Sequence, residues 1–165
     1  MIEYRTAEEK DLEKLIKFLS LSVIDKSFVK PLSQRDISIS ERVKRKYING
    51  LWLLALQREI IAGCLALVPH KEEETVEIST YAVRPDYQGQ GIGGRLIEES
   101  IKLTRERYPD YKAIILDSWE GNEGISRLMD KKGFTLDKAF YDSNKRPEGI
   151  KTLVYRRELS VSNKF

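Results

Sequence analysis

The tightest constraint on this chain is six residues long. Gly89-Gln90-Gly91-Ile92-Gly93-Gly94 packs four glycines between an apolar run, "TVEISTYAV" (75–83), and a helical pattern. In that pattern Ile92, Leu96, Ile97, Ile101 and Tyr108 share one face. Glycine at this density weakens any regular element, so the run must be a junction of strand, tight loop and helix. Pro109 closes the helix, and "KAIILD" (112–117) follows as a short buried strand. The unit is a β-α-β crossover. Glycines allow positive φ and let a ligand approach the backbone. A loop running into a helix start also leaves several N–H groups unpaired and pointing one way. With the helix dipole they attract an anion, each charge gaining about 0.3–1 kcal/mol when exposed and up to ~2 when partly buried. Four glycines beside Gln88 and Arg95 exceed what a bare turn needs, so the loop reads as an anion site.

The remaining elements fix the class of fold. Ile2-Glu3-Tyr4-Arg5 alternates as a short strand. Thr6-Ala7-Glu8-Glu9 has the form of a capping box, ahead of Leu12, Leu15, Ile16 and Leu19 at helical spacing. Residues 20–37, with Pro31, read as loop with a helical turn. Ser38-Ile39-Ser40-Glu41 offers a second cap, and Val43, Tyr47 and Ile48 suggest a second helix. "LWLLAL" (51–56) and "IIAGCLALVP" (60–69) are separated by Gln57-Arg58-Glu59, which suits an antiparallel hairpin. Beyond the crossover, Ile125, Leu128 and Met129 mark a short helix stopped by Gly133, a left-handed cap. "FTLDKAFY" and "IKTLVYRREL" are two last strands. The order β-α-α-β-β-β-α-β-α-β-β describes one mixed α+β domain over residues 1–165, with a core at 2–159 and a frayed tail at 160–165. The sheet is expected to be largely antiparallel.

Charge and cysteine content narrow the function classes. The 29 basic and 26 acidic residues leave a net charge of +3, too balanced to predict nucleic-acid binding. The runs "KEEE" and "YRRE" read as solvated surface. Cys64 is the only cysteine, inside an apolar run, so it packs in the core and no internal disulfide forms. No Cys or His cluster has metal-ligand spacing, and no metal is expected. His70, the only histidine, follows Pro69 and is expected in a loop. No signal peptide, transit peptide or membrane span is visible, so the expected compartment is the cytoplasm, with no membrane partner. Exposed edges of the terminal strand pair suit a homodimer.

Which anion would the loop take? Read from Gly89 it is a literal G-x-G-x-x-G, and Asp117 lies roughly 28 residues on, near where a ribose-binding acid falls. A nicotinamide or flavin loop, however, starts almost at the strand end. Here Arg84-Pro85-Asp86-Tyr87-Gln88 intervene after Val83, and too few β-α units follow for a doubly wound sheet. A Walker-type loop is excluded because no G-K-[ST] ends it.

Read from Gln88, the loop is Q-x-x-G-x-G, carried by Gln88, Gly91 and Gly93. Downstream, "NEGISRLMDKKGF" matches N-x-x-A-x-x-L-Y-x-x-x-G-F at Asn122, Leu128, Gly133 and Phe134. These two motifs, in this order around this strand, resemble the GNAT superfamily of acetyl-CoA-dependent N-acetyltransferases, and the element order over roughly residues 2–159 fits that fold. The resemblance implies acetyl-CoA as acyl donor and an amine acceptor, a small molecule or a protein amine. It implies a pyrophosphate cradle formed by Gln88, Gly89, Gln90, Gly91, Ile92, Gly93, Gly94 and Arg95. It further implies that backbone groups of Tyr81, Ala82 and Val83 pair with the pantetheine arm as with an added strand. In the family that strand splays from its parallel neighbour and the thioester lies in the gap. Asn122, Ser126 and Met129 would line the thiol end.

Thioester aminolysis needs a neutral amine, and an amine with pKa near ~10.4 is mostly charged at neutral pH. A base therefore helps. Glu77, on the strand that carries Val83, is the first candidate, as is a glutamate in several family members, and burial would raise its pKa. Asp117, ending the next strand, is the second. The Val83 backbone N–H is the implied donor to the thioester oxygen. Met129 stands where the family often has a tyrosine acid, and it cannot donate a proton. Ser126, Tyr141 or water are the substitutes; a non-catalytic acyl-CoA-binding module is the first alternative, and an NAD-binding protein, from the literal G-x-G-x-x-G and Asp117, the second. Ile125 replaces a usual alanine and would narrow the channel. Asp25, Asp36, Asp142 and Glu148 are acids on the acceptor side, but Lys26, Lys30, Arg35, Lys145 and Arg146 interleave with them, so no single-sign funnel is evident.

Overall fold

The computed structural model describes residues 1–21 and 38–159. The loop expected within residues 20–37 and the frayed tail at 160–165 therefore fall mostly outside the described residues, as do Asp25, Lys26, Lys30, Arg35 and Asp36. The elements are β1 (Glu3–Thr6), α1 (Leu12–Leu19), α2 (Ile39–Asn49), β2 (Leu51–Gln57), β3 (Ile60–His70), β4 (Thr75–Val83), α3 (Ile92–Arg107), β5 (Ala113–Trp119), α4 (Glu123–Lys131), β6 (Thr135–Tyr141) and β7 (Lys151–Glu158). The strands form one sheet in the order β1-β2-β3-β4-β5-β7-β6. Every neighbouring pair is antiparallel except β4–β5, which the α3 crossover makes parallel.

Both faces of the β2–β3 pair are covered, which is why these two strands read as nearly unbroken apolar runs. On one face Leu53, Leu65, Val76 and Ile78 pack against Ile92, Leu96, Ile97 and Ile101 of α3. On the other, Trp52, Leu54, Cys64 and Ala66 pack against Leu15, Phe18 and Leu19 of α1 and Val43 of α2. Cys64 is fully buried, as expected, and burial pushes its thiol pKa up. The Ser38 cap forms, its side chain accepting from the Glu41 N–H at 3.2 Å. Gly133 takes φ +79° behind α4.

Three expectations are corrected. The first capping box lies two residues further on, at Glu8 and Asp11, because Thr6 completes β1 and Arg5 draws Asp11 toward the strand. Ile48 is 79% exposed and is not part of the buried face of α2. His70 is the last residue of β3, in register with Thr75, rather than in a loop.

The Arg5–Asp11 pair ties β1 to the start of α1 with two hydrogen bonds, at 2.7 and 2.9 Å. The Arg5 hydrogen bonds, outweighing burial, lower the Asp11 pKa to about 2. A depressed carboxylate stabilises the fold above its unfolded pKa and loses that contribution as pH falls through the folded value. Wild type is thus expected to lose about 2 kcal/mol from this group between pH 5 and pH 2. Asp11→Asn should flatten that part of the profile. Denaturant titrations of both proteins across this range measure it; parallel profiles would refute the assignment.

Candidate functional site

Pairing between β4 and β5 starts at Thr75–Ala113 and stops at Ile78–Leu116. Both strands continue, β4 to Val83 and β5 to Trp119, so they part in the middle of the sheet. The cause is local. The β3–β4 register slips between Cys64 and Ala66, and Thr80 sits in the slip with φ +55°. A β-branched residue at positive φ is strained. The Lys46 ammonium of α2 donates to Thr80 Oγ1 at 2.5 Å, a contact that helps hold the bulge. Beyond it Tyr81, Ala82 and Val83 run past the end of the β4–β5 ladder.

The glycine loop opens beside this gap. Gly89 and Gly91 have φ +78° and +79°. A Cβ added at either would meet nothing within 4 Å, so the loop is an open cradle. Gly91 is the N-cap of α3, and no side chain caps that end, which leaves the first-turn N–H groups to the cradle. Gln88 Nε2 donates to the Val83 carbonyl at 3.2 Å, tying the loop to the strand. Arg95 is exposed and pairs with Glu99 at 2.7 Å. Ile92, in contrast, faces the core at 2% exposure.

Gly93 has its own reason to be glycine: a Cβ there would lie 2.3 Å from the Tyr81 hydroxyl and 3.5 Å from its Cζ. Burial raises the Tyr81 pKa, so this phenol stays protonated. Gly93→Ala is expected to displace the ring and lower thermal stability. Tyr81→Phe in the same chain should restore it, since only the hydroxyl clashes. Calorimetry on the single and double variants checks this; a double variant no better than Gly93→Ala would reject the contact.

Glu77 and Asp117 come together across the paired part of the gap. Glu77 is in register with Ile115, and Asp117 lies two residues on, on the same face. Val76 and Ile78 point into the α3-side core, so the acids face the α2 side. Glu77 keeps 27% side-chain exposure, with His70 Nε2 at 3.8 Å. Lys145, from the β6–β7 loop, bonds Asp117 at 2.9 Å. Partial burial opposes the Lys145 charge, but the Asp117 bond and the charges of Asp117 and Glu77 outweigh it, and its pKa is raised. Arg146 steadies that loop through the Ser118 carbonyl, at 3.2 Å. Lys145 and Arg146 carried no sequence signal beyond their charge, and Thr80 carried none.

At the end of β5, Asn122 caps α4, accepting from the Ile125 N–H at 3.4 Å and donating to Ser118 Oγ at 3.1 Å. Ser126 is exposed, while Met129 is wholly buried in the α3-side core with Ile125 packed against that core. Tyr141 lies on β6, with β7 between it and β5, and is 68% exposed.

A sheet parted at its single parallel pair, beside an uncapped glycine loop, defines a class of protein. Residues 19–134 match the model of the Acetyltransferase (GNAT) family, and the chain belongs to that family. Among solved structures it is similar to a GNAT-family acetyltransferase from Streptococcus pneumoniae, with TM-score 0.79, 18% identity and coverage of 97% of this chain and 100% of that one. A ribosomal-protein-alanine N-acetyltransferase from Brucella melitensis gives TM-score 0.71, 21% identity, and 95% and 99% coverage. A GNAT-family acetyltransferase from Elizabethkingia anophelis with acetyl-CoA bound gives 0.64, 21%, and 96% and 98%. No curated protein matches the chain in sequence.

Proposed function

We propose that this protein moves the acetyl group of acetyl-CoA to a primary amine by direct attack within a ternary complex. The observation that carries the reading is the open glycine cradle at the head of α3, set against the parting of β4 and β5. The donor set suits a diphosphate: first-turn N–H groups of an uncapped helix, with room for phosphate where Gly89 and Gly91 lack side chains. Gln88 to Arg95 hold the pyrophosphate, and Tyr81, Ala82 and Val83 offer backbone to the pantetheine arm. Acetyl-CoA supplies the activated acetyl thioester. Glu77 takes a proton from the amine, directly or through water, and His70, 40% exposed, gives that proton a route to solvent. Asp117, already engaged by Lys145, is the second candidate base. Asn122 and Ser126 line the thiol end beside the buried Met129.

Calorimetric titration with acetyl-CoA, followed by a mass-spectrometric screen of amine acceptors, tests this. Micromolar binding and acetylated product are expected; no binding at millimolar acetyl-CoA would overturn it. Met129, which offers no proton, favours a second reading as a non-catalytic acyl-CoA-binding module. Free-thiol release with any amine removes that reading.

A further inference from the structure

We infer that Lys145 is an acceptor within the chain: when no other amine is bound, its Nζ takes the acetyl group of acetyl-CoA in cis. The inference rests on the acetyl-transfer reading and adds a modification site to it. The β6–β7 loop brings this primary amine to the parting of β4 and β5. Asp117 is the first residue of β5 beyond the last ladder pair, Ile78–Leu116, and Lys145 Nζ donates to its Oδ2 at 2.9 Å. Glu77 lies on the same face, and its charge also acts on the Lys145 ammonium. The amine thus faces both candidate bases, beside the strand end proposed to carry the acyl arm.

The loop is pinned on either side of this lysine. Before it, the Asp142 carboxylate accepts from the Asn144 N–H at 3.0 Å. The Asp142 carbonyl accepts from the N–H groups of Lys145 and Arg146, at 3.1 and 2.9 Å. After it, Arg146 is 5% exposed. Its guanidinium donates to the Ser118 carbonyl at 3.2 Å and lies over the Trp119 ring. Lys145 itself keeps 51% side-chain exposure. The backbone is therefore held to the sheet while the four-carbon stem stays free to turn. A half-exposed ion pair holds weakly, so Nζ can exchange Asp117 for a nearby thioester. An amine tethered in this way meets a bound thioester at an effective concentration far above that of a free amine.

The chemistry balances with the groups at hand. The ammonium gives one proton to Asp117, the carboxylate it already touches. The neutral Nζ attacks the thioester carbon; an N–C bond forms, and the C–S bond breaks with its electron pair on sulfur. The thiolate takes a second amine proton, and the third stays on the new amide. Asp117 returns its proton to water. The products are acetyl-lysine, the free CoA thiol and a proton. The amide carries no charge, so it no longer pairs with Asp117, and each chain reacts once.

The test incubates wild type, Asp117→Asn and Lys145→Arg with acetyl-CoA in an amine-free buffer and maps acetyl groups on peptides by mass spectrometry. Wild type unfolded in guanidinium chloride gives the chemical background. Lys145 of the folded protein is expected to be acetylated about tenfold or more faster than any lysine of the unfolded sample. Free thiol should reach one equivalent per chain, with a half-time unchanged on dilution of the protein, and Lys145→Arg should lose that equivalent. Asp117→Asn should slow the modification about tenfold or more. A lysine that is merely reactive would respond in the opposite sense, because loss of the carboxylate lets the amine shed its proton more easily. A background rate at Lys145, a faster rate in Asp117→Asn, or a rate that falls on dilution would overturn the inference. A parallel incubation adds a panel of small amines. Acetylated amines with Lys145 left untouched in the amine-free sample would overturn self-acetylation alone, whereas no acetylation of any amine would overturn the transfer reading with it.

Discussion

Glu77→Gln is expected to lower turnover by about a hundredfold to ten-thousandfold near neutral pH, the usual contribution of a placed general base, with acetyl-CoA affinity unchanged. The carboxylate lies on β4 before the bulge, away from the glycine cradle, and reaches His70 at 3.8 Å. Glutamine keeps the size and loses the basicity. The deficit should shrink as pH rises, because the neutral fraction of a free amine grows about tenfold per unit below a pKa near 10.4. Asp117→Asn should cost less, since Asp117 is occupied by Lys145 at 2.9 Å. Steady-state rates for all three proteins from pH 6 to 10 decide the matter. A Glu77→Gln profile that overlays wild type rejects Glu77 as the base.

Trp52→Ala carries the largest expected loss of stability, about 3–5 kcal/mol. Trp52 is 1% exposed, fills the centre of the α1–α2 core, and its indole N–H reaches the Val43 carbonyl at 3.1 Å. Alanine would leave a cavity and remove that bond. Against a typical total of about 5–15 kcal/mol, the variant should be partly unfolded at 37 °C. Trp52→Phe, which keeps most of the volume, should lose less than half as much. Urea melts of the three proteins read the difference; a Trp52→Ala midpoint within error of wild type would contradict the packing described.

The periodic parts of the fold were legible because their causes are local. The run 75–83 is β4 as expected, and Ile92, Leu96, Ile97 and Ile101 are the buried stripe of α3. The crossover and the hairpin were written in the glycine run and in Gln57-Arg58-Glu59. Other features depend on distant partners. Nothing in residues 135–158 says that β7 enters between β5 and β6; only the difference between an exposed β6 and a partly buried β7 hints at it. Thr80 at φ +55° is opaque for the opposite reason, since threonine is among the least expected residues there. In the candidate site, the cradle glycines were readable from backbone rules. The Gly93–Tyr81 contact and the Lys145–Asp117 pair were not, because each joins residues from separate elements.

The parting of β4 from β5 also has a mechanical meaning. The two halves of the sheet share a ladder of only four register pairs, at Thr75–Ile78 and Ala113–Leu116. They are joined like the arms of a clothes-peg, stiff at the sprung end and compliant at the jaws. Load applied between Val83 and Trp119 works on a long lever, while the same load at Thr75 works on almost none.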